Sequence, residues 1–299
     1  MSSPAPSRRD FLATAAVATA AAFLPAALRA AAPASPAGWT IGCFNRPWAQ
    51  WSFDETLDAV KGAGYQVTGL LTETKDDPFI ASRSTPEYLA ALKQKIASRG
   101  LRANMGALRV KNEATLAEAI ADVRQQITNA QTLGLEFALT FGVDDPKHYA
   151  QYYRVMADAA AFARERGVKL VLKPHGGGSG AAEEILRCIK EVAHPNFKIW
   201  YDAGNIIHYT GKDPVAELDP IAEHVTGFCA KDCAALKGDV LVQFGTGKVD
   251  FAGVFRRLKA AGFNGPIMVE GCAIGETPAA TMANARANRL FLEKVLAAV

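Results

Sequence analysis

From Trp39 onward, short apolar runs alternate with longer stretches whose apolar positions recur at helical spacing. The short runs cover residues 40–44, 67–72, 101–108, 136–141, 169–175, 197–202, 226–232 and 266–271. Each reads as a buried strand, bounded by turn residues or charge. The stretches between them predict helices at 53–62, 85–100, 113–132, 146–166, 181–192, 214–224, 251–261 and 277–296. Asp54 and Glu55 fall in the first turn of the first helix, where the helix dipole favours acidic groups. Thr85 and Pro86 open the second with a cap and a proline at the first helical position. One long loop, 233–250, follows the seventh strand.

Eight strand–helix pairs over roughly 260 residues predict a single-domain α/β fold, the (β/α)8 TIM barrel. The main competitor is a doubly wound open sheet. That fold usually carries a glycine-rich phosphate turn after its first strand. Here the first strand runs into Asn45, Arg46, Pro47 and Trp48 instead. The glycine cluster at 176–180 comes too late for that motif. It reads as a flexible turn into the fifth helix or, alternatively, as a set of backbone amides for an anionic or hydroxylated ligand. No internal repeat appears, and no linker is long enough to separate a second domain from the first.

Residues 1–32 stand apart from this pattern. Ser7, Arg8, Arg9, Asp10, Phe11 and Leu12 form a twin-arginine signature, and a mild alanine-rich run follows to Ala32. This reads as a cleavable signal peptide, too short and too weakly apolar to span a bilayer. The expected division is 1–32 signal and 33–299 barrel, with the mature protein periplasmic or secreted. Loss of Arg8, Arg9, Arg29 and Asp10 takes the net charge from +3 to +1. So small a charge lacks the field that drives phosphate-backbone binding, so nucleic acid is not an expected partner. No other apolar run is long enough to cross a membrane. The five cysteines, Cys43, Cys188, Cys229, Cys233 and Cys272, are odd in number and show no zinc-type pairing.

Candidate chemistry gathers at the ends of the last four strands, because a barrel of this type carries its site at the C-terminal face. Side chains alternate along a strand. Parity therefore groups Lys173 with His175, Trp200 with Asp202, Cys229 with Lys231, and Glu270 with Cys272, all directed at one axial pocket. Asp202 and Glu270 each close an apolar strand, where a charge needs an ion-pair partner or a metal. Lys173 reads as a buried, ion-paired lysine or as one snorkelling from a strand end. His175, Lys231 and Asp232 each have a structural or solvated alternative. Glu73, Asn205, His208 and Cys229 are secondary candidates for substrate contact.

The strand-five segment, Asp202 through Asn205, Ala230 through Asp232, the stretch from Phe244 to Phe251, and Val269 through Gly271 resemble the xylose isomerase-like TIM-barrel superfamily. The resemblance covers the chain from about Trp39 to the C-terminus. It implies a sugar or sugar-phosphate isomerase or epimerase; apurinic endonucleases belong to the same superfamily. It also implies a divalent metal on a strand-five glutamate, a strand-six aspartate, a strand-seven histidine and a strand-eight glutamate. Asp202 and Glu270 match that pattern. Lys173 stands in place of the glutamate, Cys229 in place of the histidine, and Asn205 where many members carry a further histidine. An ammonium there repels a hard cation, so no cofactor is favoured, with Lys173 bridging Asp202 and Glu270 instead. The alternative is Mn, Mg or Zn held by Asp202, Glu270 and His175 or His208, zinc being the choice if Cys229 is a ligand.

The expected function is proton transfer next to a carbonyl of a sugar or oxidised sugar. Lys173, His175, Asp202, Lys231 and Glu270 would be the catalytic groups. A lyase or hydrolase acting on an oxidised sugar glycoside, and a non-catalytic carbohydrate-binding barrel, are the alternatives. The expected partner is a small-molecule carbohydrate, with a homo-oligomer left open.

Overall fold

The computed structural model describes residues 38–75 and 77–299. The predicted signal segment lies outside the described residues. Eight parallel strands close into one barrel in sequence order, from β1 (Ile41–Phe44), β2 (Val67–Leu70), β3 (Arg102–Ala107) and β4 (Phe137–Thr140) to β5 (Lys169–Leu172), β6 (Phe197–Asp202), β7 (Val225–Ala230) and β8 (Ile267–Val269). β8 pairs back onto β1, with Gly42 opposite Met268. The outer layer comprises α1 (Phe53–Gly62), α2 (Pro86–Ala97), α3 (Leu116–Leu133), α4 (Tyr149–Glu165), α5 (Ala182–Val192), α6 (Ala203–Thr210), α7 (Pro214–Leu218), α8 (Phe251–Ala260) and α9 (Pro278–Ala297).

Local chemistry explains where these elements begin. Ser52 and Glu55 form a capping box on α1, and Thr115 and Glu118 do the same on α3. Thr85 caps α2, as the sequence predicts. Strand parity then divides the core into two layers. One face of the strands meets the helices through residues such as Leu170, Leu172, Ile199 and Phe228. The other fills the barrel with Phe44, Val67, Met105, Phe137, Val171, Trp200, Cys229 and Met268. Trp200 is the largest of these, edge-on to Phe137 at 4.9 Å between ring centroids. Gly227 on the adjoining strand makes room for it, since a Cβ there would stand 2.2 Å from the indole.

Two sequence expectations are corrected. The fifth strand does not run to His175: regular pairing stops at Leu172, although the Lys173 amide still bonds Thr140 O at 2.9 Å. Pro174, lacking an amide hydrogen, ends the ladder there. The segment after the sixth strand is not loop followed by one helix at 214–224. It turns at once into α6, and the predicted helix is reduced to α7 plus a 3-10 turn at Ala222–His224.

Candidate active site

Val171, Trp200, Cys229 and Met268 lie inside the barrel. Two residues further along each chain, the same parity delivers Lys173, Asp202, Lys231 and Glu270, none more than 2% exposed. The Lys173 ammonium lies 3.1 Å from Asp202 Oδ2 and 2.6 Å from Glu270 Oε2. The Lys231 ammonium lies 3.1 Å from the same Asp202 oxygen and 3.0 Å from Glu270 Oε1. Each cation therefore bridges both carboxylates in a closed ring of four charges with no net charge. Asp202 Oδ2 meets both ammoniums at ion-pair distance without an aligned hydrogen bond. Its Oδ1 accepts the Asn205 amide at 2.8 Å and so caps α6.

The ring sets its own protonation. Burial works to raise the Glu270 carboxyl, but Lys173, Lys231 and Arg46 outweigh it, and the group sits well below the usual carboxylate range. Burial works to lower Lys173, and Glu270 and Asp202 overcome that, raising it above its ordinary value. Lys173 is therefore a fixed ammonium. A Schiff base there would need a neutral amine.

Above the ring opens a cavity of about 360 Å³, lined by Lys173, His175, Asn205, Lys231 and Glu270 among others. His175 sits between Phe141 and Tyr209, with ring centroids 5.1 and 5.0 Å away. The Tyr209 hydroxyl is 3.1 Å from its Nε2. Burial, reinforced by Lys173 and Lys231, lowers the imidazole from 6.5 to about 4, so it is neutral at neutral pH. Asn205 ties the site together: its amide donates to Pro174 O at 2.6 Å, and its carbonyl accepts from Lys231 at 2.5 Å. His208 lines the cavity too, with Nδ1 2.9 Å from Gly238 O in the long loop after β7.

Other expected positions fall elsewhere. Glu73 does not line this cavity; its half-exposed carboxylate faces Arg83 at 4.0 Å. The residues after β2 leave the strand path, with the Leu71 amide bonded to the Asn45 side chain. Cys272 is buried against the helical layer, its thiol 3.9 Å from Thr281 O, because parity is lost past Glu270, whose amide makes the last bond to β7. Trp200 packs below the ring rather than lining the cavity. The glycine cluster forms a turn in which the amides of Gly178, Ser179 and Gly180 bond backbone carbonyls, and none of its glycines lines the cavity. Asp232 is fully buried rather than solvated. Its carboxylate accepts the amides of Cys233, Gly245, Gly247 and Val249 at 2.8–3.1 Å, pinning the loop. Sequence reasoning missed Arg46, Arg109, Phe141 and Tyr209, all of which line the cavity.

The residues present can be tested against a divalent metal. Asp202, Cys229 and Glu270 each offer a ligand atom within 4.8 Å of one another. Both ammoniums occupy the carboxylate oxygens such an ion would need. The Cys229 thiol donates to Glu270 Oε2 at 2.6 Å, and burial together with Glu270 and Asp202 pushes it well above its usual range. A metal-binding cysteine must be a thiolate. This donor set, with both lysines in place, does not fit a divalent cation.

Comparison with known proteins agrees with this architecture. A twin-arginine translocation signal profile matches residues 5–25, so the chain is exported by that route, to the periplasm or beyond. Inosose dehydratase of Geobacillus thermodenitrificans (strain NG80-2) is 29% identical over 125 residues, 36% of this chain and 42% of that protein. The chain thus matches less than half the length of that relative. An L-ribulose 3-epimerase structure superposes with TM-score 0.68 at 19% identity, covering 87% of this chain and 95% of the other. A xylose isomerase-like TIM barrel protein from Mycobacterium smegmatis in complex with magnesium superposes with TM-score 0.71 at 15% identity, covering 87% and 97%. At those identities the superpositions speak for the fold alone. The profile of the xylose isomerase-like TIM barrel family matches residues 57–294, and the chain belongs to that family.

Proposed function

We propose that the protein is an exported enzyme that moves a proton beside a carbonyl of a sugar or oxidised sugar, as an isomerase or epimerase. We further propose that it does so without a resident divalent metal. The observation that carries this reading is the pair of ammoniums, Lys173 and Lys231, bridging Asp202 and Glu270 at the cavity floor. Preorganised positive charge at a developing oxyanion is a large catalytic term in a site shielded from water.

His175 is the base in this scheme. Glu270, shared by two lysines and a thiol, is a poor proton acceptor, whereas the neutral imidazole has a basic nitrogen, with the Tyr209 hydroxyl 3.3 Å from Nδ1 and 3.1 Å from Nε2. The proton on the carbon beside the carbonyl passes to a His175 nitrogen. The C–H electron pair forms a carbon–carbon double bond while the carbonyl π pair moves to oxygen, giving an enediolate that the ammoniums stabilise. Return of the proton to the former carbonyl carbon, with the neighbouring hydroxyl proton passing to the enediolate oxygen, gives the isomer. Protonation of the original carbon from its other face, by water entering the cavity, gives the epimer. Tyr209 holds the ring in place throughout.

A second reading has one observation in its favour, the likeness to inosose dehydratase. A dehydratase makes the same enediolate but expels hydroxide from the next carbon. Incubation of candidate sugars in deuterated water separates these outcomes. Deuterium in recovered sugar or its isomer supports the first reading; an unsaturated product one water lighter supports the second. His175→Gln is expected to slow exchange by roughly 10²-fold or more. Binding of sugars with no exchange and no product, in any panel tested, would leave a carbohydrate-binding barrel. Elemental analysis bears on the metal: one tightly held divalent ion per chain, with activity lost to a chelator, would overturn the metal-free proposal.

A further inference from the structure

The four charges at the cavity floor cancel, yet two more cations line the same cavity. They are Arg46, on the turn after β1, and Arg109, just past β3. Glu270 is the only carboxylate in the cavity wall among the described residues, and both its oxygens already face ammoniums. With Asp202 counted behind it, the site carries an excess of two positive charges in a nearly neutral mature protein.

Arg46 Nη1 is sheltered from solvent and has no hydrogen-bond partner. Its nearest acid, Glu270 Oε1, is 3.8 Å away, too far for a hydrogen bond and held by Lys231 at 3.0 Å. The Arg46 side chain as a whole is 28% exposed and lines the cavity, so a ligand there meets a guanidinium with no carboxylate in hydrogen-bond range. Arg109 is fixed differently. Its Nη2 donates to Leu71 O at 3.0 Å and its Nη1 to Leu108 O at 3.3 Å, while the guanidinium carbon lies 5.5 Å from the Phe141 ring centroid. A guanidinium has five N–H donors, so a rigidly held Arg109 keeps others for a ligand. Glu73, which shares a neighbouring crevice with Arg109, acts on its charge from there but is in ion-pair range only of Arg83, at 4.0 Å.

We propose that the sugar taken by this site carries an anionic group, carboxylate or phosphate, and that Arg46 and Arg109 form the subsite for it. This rests on reading the cavity as a sugar site. Planar guanidinium forks match both oxyanions, and two of them together with the floor ammoniums select against neutral sugars. The subsite lies on the β1 and β3 side of the mouth. It would hold the charged end of the ligand while the carbonyl meets Lys173 and Lys231.

Calorimetric titration of mature protein with a hexuronate, a hexose 6-phosphate and the neutral hexose tests this directly. The expected result is at least tenfold tighter binding of one or both anionic sugars, weakened by added salt. Arg109→Gln and Arg46→Gln should each remove most of that preference, weakening the anionic sugar far more than the neutral hexose. Arg109 lies at the exposed rim, so its variant should fold normally. The stronger of the two anionic ligands identifies the group as carboxylate or phosphate. Equal or tighter binding of the neutral hexose, or full retention of the preference in both variants, overturns the subsite. The same titrations run beside deuterium exchange separate the two claims. Tight binding of an anionic sugar without exchange sinks the proton-transfer reading and keeps the subsite. Exchange confined to neutral sugars keeps the reaction and sinks the subsite.

Discussion

Lys173 is the residue on which the metal question turns. Its ammonium touches both carboxylates, so replacing it with an uncharged chain leaves two buried acids facing one lysine. Removing one partner of a buried ion pair costs about 3–5 kcal/mol. Lys173→Met is therefore expected to lower the denaturation midpoint clearly and to abolish turnover, measured by chemical unfolding and by proton exchange. Lys173→Glu is the sharper test. It places a third carboxylate beside Asp202 and Glu270 and reverses the local charge. We expect this variant to gain a thermal shift with manganese or magnesium that the parent lacks. A parent stabilised by those ions to the same extent would show that the lysines do not exclude a metal.

At the scale of elements, the junction between β6 and α6 governs the site, because one tetrapeptide supplies Asp202, the cap and Asn205. Gly204 lets this junction press against β7: a Cβ there would stand 2.7 Å from Lys231 O, backbone that cannot swing aside. Gly204→Ala should push α6 outward, at a cost of about 1–3 kcal/mol. It should also break the Asn205–Lys231 contact, lowering kcat more than it raises KM; unchanged kinetics would count against Asn205 as a positioning residue. Asp232→Asn should free the loop at 233–250, seen as faster proteolysis there, at about 3 kcal/mol for a buried charge-assisted bond.

The same scale shows what was legible in the sequence. The eight strands and the cluster of Lys173, Asp202, Lys231 and Glu270 followed from apolar runs and two-residue parity. Arg46 and Arg109 obey that parity, lying two positions beyond the interior residues Phe44 and Ala107. They are hard to read in the sequence because neither strand ends directly in charge: an uncharged residue, Asn45 or Leu108, stands between each strand and its arginine. Helix α6 is hard to read in the sequence because its eight residues follow the strand with no intervening turn, though Asp202 and Gly211 mark its ends. The failures at Glu73 and Cys272 have one cause: alternation persists for a residue or two past the ladder, as at Arg46 and Arg109, and is lost by the third.

For the molecule as a whole, the site ties stability to pH in one direction. The folded-state imidazole of His175 titrates at about 4, below its ordinary 6.5. As pH falls through that interval the unfolded chain binds a proton that the folded chain refuses, so stability declines from pH 6.5 toward about 4. Glu270 adds to this at lower pH. Its depressed carboxyl contributes stability that is present above 4.5 and lost as pH falls through the folded value. Paired surface carboxylates such as Asp54 and Glu113 act in that same acidic range. His175 thus acts in the upper window, apart from these carboxylates, and substitution isolates it. The thermal midpoint of the parent should start to fall as pH drops below 6.5, while that of His175→Gln should hold level until the carboxylates begin to protonate near 4.5. Parallel curves for the two proteins across that interval would mean that folding does not lower the His175 imidazole, which removes the electrostatic ground for a base held neutral in the site.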